Sequence, residues 1–118
     1  MSKTISWVIQ LSLNEGKSND FKTLMADMVA ATRNEAGCQT YEWFKSADGT
    51  TFHICERYDD SAATLVHLGN FGAHFAERFM GCVTPTGLNV YGDPSADLRG
   101  ALDGLGAVYF GPIGGFTK

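Results

Sequence analysis

Near the start of the chain Ile5, Trp7, Ile9, Leu11 and Leu13 alternate with Ser6, Gln10, Ser12 and Asn14. This period-two pattern sets one side of a strand against a core and the other toward solvent. Asn14-Glu15-Gly16 ends it. From Ser18, read as an N-cap, the spacing changes: Phe21, Leu24, Met25, Met28, Val29 and Thr32 recur every three or four residues, which predicts an amphipathic helix stopped by a left-handed Gly37. Two more strands follow at 38–45 and 51–58, joined by Ala47-Asp48-Gly49 with its Asp-Gly hairpin signal. A two-residue turn at Asp48-Gly49 sets Tyr41 opposite Glu56, Trp43 opposite Ile54 and Lys45 opposite Phe52.

A second helical region is capped by Asp60 or Ser61, runs from Ala62 to Leu68, bends near Gly69-Asn70 and resumes from Phe71 to Phe79. A fourth strand, about Thr86 to Tyr91, ends at Gly92-Asp93-Pro94. The order β-α-β-β-α-β predicts a ferredoxin-like α+β domain, an antiparallel four-stranded sheet with two helices on one face. Residues 1–94 make up this domain. Residues 95–118 are a C-terminal extension in which Ser95 to Leu102 suits a short capped helix, while the glycine-rich end is ordered only by packing on the domain or a partner subunit. On the sheet face away from the helices Val8, Cys38, Phe44 and Cys55 are apolar by parity. Two helices cover one face, so the expected cover for the other is a second subunit, giving a homodimer built sheet to sheet.

Composition narrows this picture. A chain of 118 residues, 44% of them hydrophobic, makes one domain with a real core. The net charge is −4 and the 9 Lys and Arg residues are scattered, which excludes the basic stripe that nucleic acid or an anionic membrane demands. The N-terminus has no unbroken apolar stretch, so a cytoplasmic protein is expected. Cys38, Cys55 and Cys82 are odd in number and lack C-x-x-C spacing, and read as reduced, buried residues rather than disulfide or zinc partners.

No phosphate loop, dinucleotide fingerprint, His-Glu-x-x-His or Gly-x-Ser-x-Gly is present. What remains is a set of titratable residues among aromatics. Glu56 shares its strand face with Phe52, Ile54 and Tyr58, an apolar layer in which a carboxyl group holds a proton unless it is paired. His67 and His74 fall with Phe71 and Phe75 on one stripe of a continuous helix. Two turns separate them by about 10.5 Å along the axis, too far to share a metal ion. One of them can hydrogen-bond or transfer a proton over the sheet. His53 has the opposite parity and no expected role. Tyr41, Trp43, Phe75 and Phe79 can wall a pocket for a flat aromatic ligand. The structural alternative leaves Glu56 paired with an arginine, the histidines at the rim of the core, and the aromatics as core.

The run Arg33-Asn34-Glu35-Ala36-Gly37-Cys38-Gln39-Thr40-Tyr41, then Glu56-Arg57-Tyr58, Asp60-Ser61-Ala62-Ala63, His67 and His74-Phe75 resembles the antibiotic biosynthesis monooxygenase family and its quinol monooxygenase-like members. The resemblance spans Ile5 to Tyr91. It implies a dimeric ferredoxin-like α+β barrel with a cavity between sheet and helices. It also implies a cofactor-independent oxidation, without flavin, haem or metal, of a small quinol or polycyclic phenol by molecular oxygen. Onto that scheme Glu56 and His67 map as the catalytic pair, with Tyr41, Trp43, Phe71, His74 and Phe75 as substrate-binding walls, while Glu35 and Cys38 read as cap and core. Two other functions fit the same scaffold: a non-catalytic dimeric ligand-binding or stress-response protein, and an isomerase.

Overall fold

In the computed structural model, which describes residues 2–118, the elements are β1 (Ile5–Leu13), α1 (Ser18–Arg33), β2 (Cys38–Lys45), β3 (Thr51–Tyr58), α2 (Ser61–His74), α3 (Ala76–Cys82), β4 (Val83–Tyr91), α4 (Ala96–Asp103) and β5 (Val108–Phe110). The strand order is β2-β3-β1-β4-β5. The first four strands are mutually antiparallel and reproduce the expected ferredoxin-like arrangement. β5 lies parallel to β4 and extends the sheet to five mixed strands. At three residues it is too short to show a period. All four helices lie on one face.

The β2–β3 register is the one read from sequence, with Tyr41 opposite Glu56, Trp43 opposite Ile54 and Lys45 opposite Phe52. The connection is longer than two residues. Ser46 N–H donates to Thr51 O at 2.8 Å, and Asp48 Oδ1 accepts from Thr50 N–H at 3.1 Å. The loop gains one residue on each side of Asp48-Gly49, so the facing pairs are unchanged.

Four local expectations are corrected. Ser18 is the first helical residue rather than the cap; Lys17 holds the cap position with no side-chain bond. Gly37 does not stop α1 with a left-handed turn, because the helix ends at Arg33 and Gly37 has no positive φ. Its lack of a side chain answers a different need: a Cβ there would collide with Cβ of Ala63. α2 passes unbroken through Gly69-Asn70 and ends at His74, and the chain turns at Phe75, φ −129°, into α3. Cys38 does not face away from the helices, because a bulge between Cys38 and Thr40 turns it toward the core cluster around Trp7 and Tyr58.

Two apolar clusters fill the space between sheet and helices. One gathers Leu11, Phe21, Leu24, Met28, Phe52, Ile54 and Phe79 beneath α1 and α3. The other gathers Ile5, Trp7, Tyr58, Leu88 and Val90, and is closed by Leu98 and Leu102 of α4. Ser95 caps α4, its Oγ accepting from Leu98 N–H at 3.2 Å. α4 is thus part of this core, whereas residues 111–118 are exposed and carry no regular structure. The opposite sheet face leaves Phe44 and Tyr91 exposed. Among the described residues no helix is long and apolar enough to cross a membrane.

Candidate functional site

Three strands bring one row of side chains together. Trp7 on β1 and Tyr41 on β2 both pair with Glu56 on β3, so all three project to the helix-covered face. α2 crosses above them. Asp60 anchors its start, Oδ1 accepting from Ala63 N–H at 2.8 Å, and the missing Cβ at Gly37 lets Ala63 sit against the β2 entry. The sheet-facing Thr64 and His67 are buried. This close approach sets the His67 imidazole among the rings of Tyr58, Tyr41 and Trp7, with centroids 5.1, 5.7 and 6.5 Å away.

The imidazole is held at both nitrogens. Nδ1 lies 2.9 Å from Oε1 of Glu35 and Nε2 lies 3.2 Å from Oε1 of Glu56. Glu35 comes from the short connection between α1 and β2, and its Oε2 also accepts from Asn70 Nδ2 at 3.2 Å. The Tyr58 hydroxyl donates to Oε1 of Glu56 at 2.6 Å. Burial alone would make His67 easier to deprotonate, but the hydrogen bond and charge of Glu56, reinforced by Glu35, outweigh it and raise its pKa. His67 therefore holds its proton more tightly than a free imidazole does, between the side chains of Glu35 and Glu56. Burial, then the charge of Glu56, raises the Tyr58 hydroxyl, which stays a donor. The same causes, with Glu35 added, push the Cys38 thiol up to about 11. Oε1 of Glu56 thus serves two partners, while Oε2 has none within hydrogen-bond reach among the described residues.

Glu56 and His67 border a cavity of about 470 Å³. Its wall is otherwise apolar except for Tyr41 and Thr84, with Ile9, Ile54, Leu68, Phe71, Phe79 and Leu88 prominent, and neither Lys nor Arg lines it. Of the residues singled out from sequence, Glu56, His67, Tyr41, Phe71 and Phe79 meet here. Trp43 packs instead on Phe21 and Tyr41 in the adjoining core. His74 and Phe75 border a separate polar groove of about 570 Å³ beside Lys17 and Glu77. The two histidines share one unbroken helix, but His74 is its last residue and is exposed, so the stripe does not carry it to the cavity. Tyr58 was expected beside Glu56, whereas Trp7 and Glu35 were not expected beside the pair. Trp7 had a signal, since it shares parity with Ile5 and Ile9, and Glu35 stands in the most distinctive run of the chain. Among the described residues no group of three or more His, Cys, Asp and Glu side chains is placed to hold a metal ion.

Residues 4–78 match the family model for antibiotic biosynthesis monooxygenases. The chain belongs to that family. A relative from Mycobacterium tuberculosis, named "putative monooxygenase Rv0793", is 37% identical over 49 residues, a stretch covering 42% of this chain and 48% of that protein. The chain thus spans about half the length of this curated relative. The crystal structure of MupZ from Pseudomonas fluorescens superposes over 100% of this chain and 91% of its own, with a TM-score of 0.89 and 26% identity. SnoaB from Streptomyces nogalater, described as a cofactor-independent oxygenase, shares the fold at a TM-score of 0.67 and 14% identity, over 80% of this chain and 97% of its own. The family match covers Glu35, Glu56 and His67 and stops short of α4.

Proposed function

We propose that this antibiotic biosynthesis monooxygenase family member oxidises a small quinol or polycyclic phenol with molecular oxygen, without a cofactor. The observation that carries the reading is the buried pair at the edge of the cavity, a Glu56 side chain with one oxygen unused beside an imidazole whose hold on its proton is strengthened. That difference assigns the roles. Glu56 accepts the substrate proton, and His67, whose pKa is raised by Glu56 and further by Glu35, stabilises the anion that forms. The electron-rich anion is the reductant of oxygen. For an anthrone-like substrate, the ring CH2 loses a proton to Glu56 and the carbanion passes an electron to O2. The two radicals then join in a C–O bond, the peroxide takes a proton, and loss of water leaves a carbonyl. The balance is one CH2 and one O2 to one C=O and one H2O. Tyr41 and Phe71 hold the ring against the pair, and the apolar wall excludes water from the anion.

Oxygen uptake with anthrone and with simple quinols tests this. Consumption above buffer is expected, with loss in Glu56→Gln and His67→Ala. No uptake with either substrate class, or undiminished uptake in His67→Ala, overturns the proposal, and turnover that persists without oxygen favours an isomerase. The working unit is a cytoplasmic homodimer joined through the open sheet face. The exposed Phe44 and Tyr91 support the dimer, and three free cysteines suit a reducing compartment. Sedimentation equilibrium giving a monomer mass at micromolar concentration would refute the dimer.

A further inference from the structure

The cavity has two unlike ends. Its ionisable end is the Glu56–His67 pair, 6% and 7% exposed at the side chain. At its other limit stand Met80 of α3 and Leu105, in the turn between α4 and β5, which are 57% and 61% exposed although both border the cavity. Leu102 and Gly104 continue the wall on the Leu105 side. α3 packs on α1 and α2, and α4 on α2, so the opening falls between α3 and the end of α4, above Pro85 and Gly87 of β4. The α4–β5 turn that forms one side of it lies outside the stretch matched by the family, and it is held by Leu98 and Leu102, both 0% exposed.

We infer that the C-terminal extension is the specificity element of this chain, and that it selects a one-headed substrate: a single phenolic or enolic group at Glu56 and His67, with an apolar arm running past Leu102 to the mouth at Leu105 and Met80. The inference rests on Glu56 and His67 marking the reacting end. Of the two substrate classes proposed, this favours the polycyclic phenol, because a quinol would set its second hydroxyl in a wall whose only polar members beside the pair are Tyr41 and Thr84. A substrate carrying a carboxylate or phosphate would meet neither Lys nor Arg in the wall, would find His67 already engaged by Glu35 and Glu56, and would lie beside Glu56. An apolar arm instead covers the two large side chains that the free protein leaves in water.

Calorimetric titration with 4-alkylphenols from 4-methylphenol to 4-octylphenol, in oxygen-free buffer, tests this without depending on turnover. Affinity is expected to rise roughly threefold to fourfold for each methylene that enters the cavity, so that the octyl compound binds about a hundredfold tighter or more. In Leu105→Asp the ratio of the two dissociation constants is expected to fall at least tenfold. Leu105→Trp, which narrows the mouth without adding charge, is expected to lower that ratio as well. An affinity independent of chain length, or a ratio in both variants equal to that of the unaltered protein, overturns the inference. A steep chain-length series together with no oxygen uptake would overturn only the monooxygenase reading.

Discussion

The two ends of the cavity are built on opposite principles. At the inner end Glu35, His67, Glu56 and Tyr58 form an unbroken chain of polar contacts 2.6 to 3.2 Å long, enclosed by aromatic rings and drawn from three segments, the α1–β2 connection, β3 and α2. At the mouth, large apolar side chains stand in water beside a turn whose Gly106 has a φ of +75°. A buried polar network is worth having only when every member is partnered, so the inner end tolerates little change. The mouth makes few contacts of its own and can vary without disturbing the core. Chemistry shared across a family therefore fits the first region, and choice of substrate fits the second.

The inner end should be the easier to break. Replacing Glu56 by Gln keeps the shape but removes the proton acceptor, and oxygen uptake should fall by about 10²- to 10⁴-fold, the usual contribution of a positioned acid–base group. Stopped-flow or electrode assays at saturating substrate would register this as a loss in kcat. A drop of less than about tenfold would move the base elsewhere.

Next in size is Gly37→Ala. The added methyl group would meet Ala63 at the start of α2, and overpacking of this kind costs roughly 1–3 kcal/mol. Urea denaturation should show the loss as a lower midpoint with an unchanged slope. Ala63→Gly in the same chain should restore part of it by making room. A neutral Gly37→Ala would mean that the approach of α2 to β2 does not position His67.

What could be read from the sequence divides along similar lines. β1, α1 and the β2–β3 hairpin were legible because each carries its own period or turn signal, and the hairpin register put Tyr41 opposite Glu56 before any packing was considered. Glu56 and His67 could be named, because one stands in an apolar strand row and the other on the apolar face of a helix. Glu35 could not be placed, since a residue in a four-residue connection has no period, and its role exists only once α2 has crossed the sheet. His74 misled for the converse reason: it shares a helix and a spacing with His67, but it stands in the last turn and is exposed, and nothing local marks where the stripe leaves the core. The mouth was the least legible part, because Leu105 has meaning only through a cavity assembled from distant segments.

A smaller effect separates Glu35 from Glu56. Folding raises the pKa of His67, so above its unfolded value of about 6.5 the folded state binds more protons than the unfolded one. The stabilisation is complete below pH 6.5 and is lost as pH rises through the folded value. Thermal melting from pH 6 to 9 should therefore show a decline that is absent in His67→Ala. Glu35→Gln should shift the imidazole titration, followed by NMR, back toward its ordinary range while leaving Glu56 in place. An unmoved titration would mean that Glu56 alone sustains the charge.

The smallest expected effect is at the mouth, and it is the one that makes the contrast quantitative. Leu105 is 61% exposed, so Leu105→Ser removes little buried area, and substitutions at such sites usually change stability by no more than about 0.5 kcal/mol. Urea denaturation should place Leu105→Ser within that margin of the unaltered protein, while Leu102→Ala, at 0% exposure on the same segment, should lose about 2–5 kcal/mol. A large loss in Leu105→Ser would show that the turn is part of the core, and the division between a fixed inner end and a variable mouth would fail. A small one leaves Leu105 as a large apolar side chain kept in water at no gain to the fold, which is the condition a substrate-facing residue satisfies.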